Sequence, residues 1–424
     1  MLATMKRRHL LGLSALGLLG GWALRPTDHG REHDAYFAEL NRQLQRDSEG
    51  IPTLLLDLDR LDANADLLAA RLGGRLQLRL VAKSLSSTGL LEYLAKRLQT
   101  QRFMVFHQPQ LNRLARSFPH ADLLLGKSLP VAAALNFYRQ LAHHLDFDPD
   151  HQVTWLIDSQ QRLVQYSELA KALGRPLRIA LEIDVGLERG GFATPQAFAQ
   201  ALQLLRQQPA LRLQGLMGYD AHVAHSPPWQ TPLRAFSETD ERYRLFISSA
   251  QQFSDLWPAK PLLNGAGSLT YPLHSQQETS LNEVAVGSAL LKPAEFDTPL
   301  LKEHQPALWI ASPVLKAVDG ALPYLQPLQP LISAWNPNRE HAYYLYGGRW
   351  PAQPVSPAGL DYDDLYGRSA NQERLIGGNG TQLTSNDWVF LRPAISEGVL
   401  GDFSEIRLLR RGQLVGRWST IGNA

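Results

Sequence analysis

Cysteine is absent from the 424 residues, which excludes disulfides and thiolate metal sites. A charge excess of either sign is absent too. With 42 Lys and Arg against 40 Asp and Glu, the formal net charge is +2, and the basic residues are scattered rather than clustered, so no nucleic-acid partner is implied. No G-x-G-x-x-G opens a helix after a first strand, which counts against an open, doubly wound dinucleotide-binding sheet. What remains is a globular chain with 44% apolar residues, long enough for two domains.

The amino terminus has its own texture. MKRRHLLGLSALGLLGGWALRP carries a basic head, an apolar run from Leu10 to Leu24 that is short for a membrane span, and small residues before Arg25. Arg7 and Arg8, followed by His9, Leu10 and Leu11, resemble a twin-arginine export signal. The expectation is an exported, periplasmic protein, cleaved after Gly21-Trp22-Ala23 or held to the membrane by a retained anchor. Residues 1–30 are assigned to this signal, and 31–50 to a polar helical lead.

From Ile51 the chain alternates apolar strand-like runs with stretches of helical spacing such as Leu90, Leu91, Leu94, Leu98 or Phe198, Ala201, Leu202, Leu205. Strands are predicted at TLLLDLD (Thr53 to Asp59) and then at runs ending on Lys83, His107, Gly126, Asp158, Asp184, Tyr219, Gly267 and Ser288. Setting the first aside, eight βα units predict an α/β fold, a closed (β/α)8 TIM barrel over residues 51–305. After Pro313 short strands broken by Gly, Pro and Asn (VLKAV, YYLYG, RLIGG, WVFLRP, EIRLLRRGQLVGRW) predict an all-β domain over 306–424.

In such a barrel the chemistry sits at the carboxyl ends of the strands. The first barrel strand ends on Lys83, in LRLVAKSLSS, where a desolvated amine could form a Schiff base. A lone strand-end lysine would more often be a structural ion-pair partner. Strand five, however, ends in EIDVGLERGGF with Arg189, and strand six in GYDAH with Tyr219 and His222. Strand seven offers Gly265, Gly267, Ser268, Thr270 and Tyr271, and strand eight Gly287 and Ser288. Glycines admit backbone N–H groups to a phosphate, and hydroxyls complete its hydrogen bonding. On successive strand ends these pieces describe a cofactor with one phosphate, one aldehyde and a flat ring, pyridoxal 5'-phosphate.

The ensemble VAKS, EIDVGLERGGF, GYDAH, NGAGSLTY and NEVAVGS, preceded by IPTLLLDLDRLDANADLLAARL, resembles the fold-type III pyridoxal phosphate enzymes with the alanine racemase barrel, in their D-threonine aldolase and D-serine dehydratase-like branch. The resemblance implies that Lys83 carries the cofactor as a Schiff base and that Arg189 faces its phenolic oxygen. It also implies that Tyr219 and His222 line the ring and phosphate region, and that Gly265, Gly267, Ser268, Gly287 and Ser288 cradle the phosphate. For His225 a structural place is expected, and His222 with His225 lacks the further ligands a metal needs.

One departure bears on the reaction. Where the metal-dependent branch carries P-N-H-x-C or P-N-H-x-D, this chain reads RPAISEGVL, with Ala394 and Ile395 in the Asn and His places and Glu397 near that of the acid. No metal site is therefore expected, and Lys83 with Glu397 become the catalytic pair. The expected activity is that of a lyase on a D- or β-hydroxy amino acid. The alternatives are a racemase or a non-catalytic pyridoxal phosphate-binding protein, against which the carboxyl-terminal β-domain speaks. Racemisation needs a second base, in the wider family a β-domain tyrosine, commonly from the other subunit of a homodimer; Tyr343, Tyr344, Tyr362 and Tyr366 are candidates. A cofactor-free hydrolytic or glycan-binding barrel using Glu182 and Asp184 is disfavoured, because residues two apart on one strand share a face whereas retaining hydrolases usually draw their carboxylates from different strands.

Overall fold

A computed structural model of the chain describes residues 25–141, 146–363, 365 and 367–421. Residues 1–24 of the expected export signal and Tyr366 lie outside the described residues. Among the described residues no helix is long and apolar enough to cross a membrane.

The first strand, β1 (Thr53–Asp57), stops two residues short of the predicted Asp59. The cause is local. The Asp57 carboxylate accepts from the backbone N–H groups of Asp59 and Arg60 and so caps a helix, Leu58–Leu72, that closes on the left-handed Gly73.

Eight parallel strands then close a barrel: β2 (Gln77–Val81), β3 (Arg102–Val105), β4 (Asp122–Leu125), β5 (Val153–Ile157), β6 (Leu177–Glu182), β7 (Leu211–Gly218), β8 (Leu262–Gly265) and β9 (Glu283–Val286). Each corresponds to one predicted run, and each ends a residue or more before the predicted terminus, so the residues of interest sit in the turns that follow. The helices between them are amphipathic, as the spacing requires. Phe198, Ala201, Leu202 and Leu205, for example, form the buried face of Pro195–Arg206.

Strand parity sorts the barrel interior into levels. On β2 the inward series is Arg79, Val81 and then Lys83, and on β3 it is Arg102, Met104 and then Phe106. β7 meets β6 with a register shift opposite Ile179 and Ala180. Gly215 there has φ +150°, and a Cβ on it would lie 1.9 Å from the Leu262 carbonyl oxygen, so only glycine permits the close passage to β8.

The remaining strands are β10 (Leu308–Asp319), β11 (His341–Tyr346), β12 (Ala352–Ser356), β13 (Asp361–Tyr362), β14 (Gln372–Gly377), β15 (Trp388–Pro393), β16 (Glu405–Arg410) and β17 (Gln413–Ser419). With β1 they form a nine-stranded sheet in the order β13-β14-β11-β10-β1-β16-β17, with β15 pairing β10 and β12. The predicted lead is the helix Ala35–Asp47, N-capped by Asp34. Its Phe37, Leu40 and Leu44 pack in a core with Trp309, Trp388 and Phe390.

The chain forms two compact units interleaved in sequence. One takes the described residues up to Leu55 with Trp309–Ala394 and Leu409–Val415. The other takes Leu56–Leu308, Ile395–Leu408 and the residues from Gly416. The helix Ser396–Leu400, which carries Glu397, thus belongs to the barrel unit although its sequence neighbours are sheet strands.

Candidate active site

Beyond β2 the backbone turns at once, the Ser84 N–H donating to the Val81 carbonyl. This turn places Lys83 in a cavity at the carboxyl end of the barrel, with walls of Val81, Met104, Phe106 and Met217. Its Nζ lies 3.6 Å from Glu397 Oε1 and 4.8 Å from the centre of the Phe106 ring. The ammonium is less desolvated than the sequence suggested, the side chain being 45% exposed. It stands free of the strand, flanked by a carboxylate and an aromatic face. Ser84 Oγ donates to the same Glu397 oxygen at 2.7 Å, fixing the carboxylate against the turn that carries the lysine.

Gly265, Gly267, Ser268, Gly287 and Ser288 all line this cavity, as do Arg189 and Tyr219. The loop after β8 is held from behind. Gly267 N–H donates to Thr270 Oγ1 at 3.0 Å, and that hydroxyl donates to Asp220 Oδ1 at 2.7 Å. Asp220 Oδ2 pairs with His274 Nε2 at 2.8 Å, and the other imidazole nitrogen meets Thr279 Oγ1. Both Asp220 and His274 are buried, so the chain has spent a buried polar network on the shape of one short loop. Across the cradle the Gly287 N–H donates to Ser268 Oγ at 3.1 Å, and Ser288 Oγ lies 3.4 Å from Ser396 Oγ.

Arg189 is brought to the mouth by a turn that Asp184 organises, its Oδ1 accepting from the Gly186 and Glu188 N–H groups at 2.9 and 3.0 Å. The guanidinium lies 4.8 Å over the Tyr219 ring, within cation–π range. Burial, with the Asp220 charge adding to it, holds the Tyr219 phenol above its ordinary value, so it is a neutral donor at physiological pH. Glu182, the last residue of β6, is absent from the cavity wall. Burial, reinforced by Asp158 and opposed by Arg189, pushes its carboxyl up to about 7.

His222 is placed differently from the rest. It is absent from the cavity wall, and its Nε2 sits 3.1 Å from Thr239 Oγ1. Burial lowers its pKa, and its Nδ1 is buried without a partner. Among the described residues no three or more His, Cys, Asp or Glu side chains gather in a way that could hold a metal ion. Of the tyrosines weighed as second bases, Tyr343 bonds Thr381 Oγ1, Tyr344 accepts from Arg374, and Tyr362 donates to the Ala352 carbonyl.

Sequence reasoning missed Ser84, Phe106, Asn264 and the Asp220–His274 support. For Phe106 the signal was present, since Met104 and Phe106 are two apart on a strand whose inward face was inferable. For Asp220 and His274 there was none, because the partners are 54 positions apart.

The cavity fits pyridoxal phosphate. A Cβ on Gly267 would lie 2.7 Å from Tyr219 Cε2, and one on Gly287 would lie 2.8 Å from Ser84 Cβ, so these positions exclude side chains; their own N–H groups are taken by Thr270 and Ser268, and the Ser268 and Ser288 hydroxyls with the other N–H groups of the two loops are left to meet an anion. No carboxylate stands among the cradle residues. An apolar wall suits the ring, and one accessible amine stands beside it.

Residues 56–294 match the family model "Alanine racemase, N-terminal domain". A curated alanine racemase from Chlorobaculum tepidum is 32% identical over 100 residues, which are 24% of this chain and about a quarter (25%) of that protein's length. The fold is similar to that of D-threonine aldolase from Filomicrobium marinum, with TM-score 0.69, 16% identity, and coverage of 88% of this chain and 97% of that one. It is also similar to that of D-threo-3-hydroxyaspartate dehydratase from Delftia sp. HT23, with TM-score 0.65, 15% identity, and coverage of 90% and 100%. With the model spanning more than half of the chain, this protein belongs to the alanine racemase N-terminal domain family, whose cofactor is pyridoxal phosphate.

Proposed function

We propose that the protein is a pyridoxal phosphate-dependent lyase of the aldolase or dehydratase type, acting at the α-carbon of a D-configured or β-hydroxy amino acid without a transition metal. The observation that carries this reading is the Lys83–Glu397 pair, an amine and a carboxylate 3.6 Å apart in one cavity with a glycine and serine cradle. Lys83, Arg189, Tyr219 and the Gly265, Gly267, Ser268, Gly287 and Ser288 groups would hold the cofactor. When bound, pyridoxal phosphate supplies an electron sink for charge leaving the α-carbon.

The chain's own residues account for the proton movements. Lys83 Nζ is close enough to a substrate held in this cavity to take up or return a proton. Glu397 Oε1, kept in place by Ser84, orients the ammonium and is the nearest acid to protonate a departing β-hydroxyl. Met104, Phe106 and Met217 keep that side of the cavity dry, which strengthens each charge interaction within it. Metal independence rests on Ile395, a hydrocarbon where the resemblance places an imidazole ligand. The folds shared with an aldolase and a dehydratase of D-amino acids support the substrate class.

The test is a borohydride reduction with peptide mapping, joined to a screen of both enantiomers of alanine, serine, threonine and hydroxyaspartate with and without chelator. The adduct is expected on Lys83, with loss of the visible band in Lys83→Ala and keto acid or aldehyde formed in the presence of chelator. Labelling elsewhere overturns the lysine assignment. Optical inversion of alanine without cleavage makes the protein a racemase, and activity abolished by chelation and restored by manganese or zinc overturns metal independence.

A further inference from the structure

At the opposite end of the barrel a second set of charges remains that the proposed reaction does not use. Arg79, Arg102, Asp122, Arg178 and Glu283, near the starts of their strands, and Lys260, just before β8, border a cleft of about 290 Å³. Arg79 takes up most of the negative charge. Its Nε and Nη2 bond Glu283 at 2.6 and 2.9 Å, and its Nη1 bonds Asp122 Oδ1 at 3.1 Å. Arg102 Nε shares Glu283 at 3.3 Å. Four cations facing two carboxylates leave a surplus of 4 − 2 = 2 positive charges.

The surplus falls on Arg178 and Lys260, neither of which has a carboxylate partner among the described residues. Lys260 is exposed, but Arg178 is half-buried, and burial together with the Arg79 charge works against its ionised form, with only Asp122 in its favour. Partly burying a guanidinium whose only counter-charge, Asp122, is already bonded to Arg79 is costly.

We propose that this cleft binds a small multiply charged oxyanion, gripped by Arg178 and Lys260 with Arg102 at its edge. The planar fork of Arg178 matches a phosphate or carboxylate bidentately, and Lys260 adds a mobile point charge at the rim. The site is separate from the phosphate cradle at the other end of the barrel and holds whatever reaction occurs there.

The experiment uses the holoenzyme, so that solution phosphate does not report on the cofactor cradle. Thermal midpoints are followed against inorganic phosphate, succinate and sodium chloride at matched ionic strength. A saturable rise with phosphate or succinate, beyond that with chloride, is expected, and the more effective of the two identifies the anion class. Arg178→Gln removes one charge-assisted contact and is expected to weaken the apparent affinity about tenfold. Lys260→Gln, at an exposed position that the fold tolerates, acts in the same direction and carries the test if Arg178→Gln does not fold. Responses to phosphate and succinate that merely equal that to chloride, or a full response retained in every variant that folds, overturn the proposal.

Discussion

Glu182 offers a stability test in which the sign is as informative as the size. Its carboxyl stands at about 7 in the folded chain against an ordinary 4.5, because burial and the Asp158 charge outweigh the help of Arg189. Between those two values the folded protein keeps a proton that the unfolded chain has released. The site therefore costs nothing below 4.5, and the native state loses stability as the pH rises toward 7, beyond which the full penalty applies. At about 1.4 kcal/mol per pH unit the gap is worth about 3 kcal/mol, reduced to about 2 kcal/mol because the carboxyl keeps some contact with solvent. Glu182→Gln keeps the shape and removes the charge. In urea unfolding of the cofactor-free protein the variant is expected to match the wild type near pH 4.5 and to exceed it by about 2 kcal/mol at pH 8. A difference that is the same at both pH values, or a variant less stable at pH 8, would show that Glu182 is ionised and paired in the native state and that the reasoning is wrong.

Two further outcomes follow from the same geometry. Glu283→Gln leaves the Arg79 guanidinium, 1% exposed, without its main counter-charge, and should cost about 3 kcal/mol or more in denaturant unfolding, most of which a joint Arg79→Met, Glu283→Leu replacement should recover; a single variant within about 0.5 kcal/mol of the wild type would contradict the burial of that pair. Gly267→Ala places a methyl 2.7 Å from the Tyr219 ring, so the ring or the loop must shift: spectroscopic titration should show cofactor affinity falling at least about tenfold and the thermal midpoint of the apoprotein should fall as well, and unchanged affinity would remove Gly267 from the cradle.

Much of the barrel could be read from the sequence because its signals are local. A run such as VTWLI is buried on both faces, and the helical stretches between such runs repeat every three to four residues, so periodicity alone separates strand from helix. The residues after the strands could be read for the same reason, since a (β/α)8 barrel converts chain order into a ring of side chains around one mouth. Strand ends were overrun wherever a side chain recruits the backbone early, as Asp57 does at Asp59 and Arg60. The support of the site was less legible. Ser84 reaches Glu397 across 313 positions, and no periodicity anticipates that Ser396–Leu400, flanked by sheet strands, belongs to the barrel unit. His222 stands apart from the other strand-end residues. Its place in GYDAH drew it into the cofactor site, whereas the short helix Ala221–Ala224 carries it to Thr239.

The strand β2 shows why a lysine can be reactive where an arginine two turns of the pleat away cannot be. Arg79 lies on β2 and Lys83 in the turn two residues beyond its end, yet Arg79 is held by two carboxylates and the Phe103 and Asp122 carbonyl oxygens, while Lys83 has one carboxylate contact at 3.6 Å and a side chain 45% exposed. The role proposed for Lys83, holding first a cofactor and then a proton, requires a group that is not locked in that way, because every bond made in the resting state raises the cost of leaving it. The Ser84 hydroxyl reinforces the distinction. By donating to Glu397 at 2.7 Å it satisfies the carboxylate from the protein side, so Glu397 stays in place when Lys83 moves. The immobile charges of the barrel are thus buried at its base and the movable amine stands at its mouth, with Val81 as the apolar spacer between them.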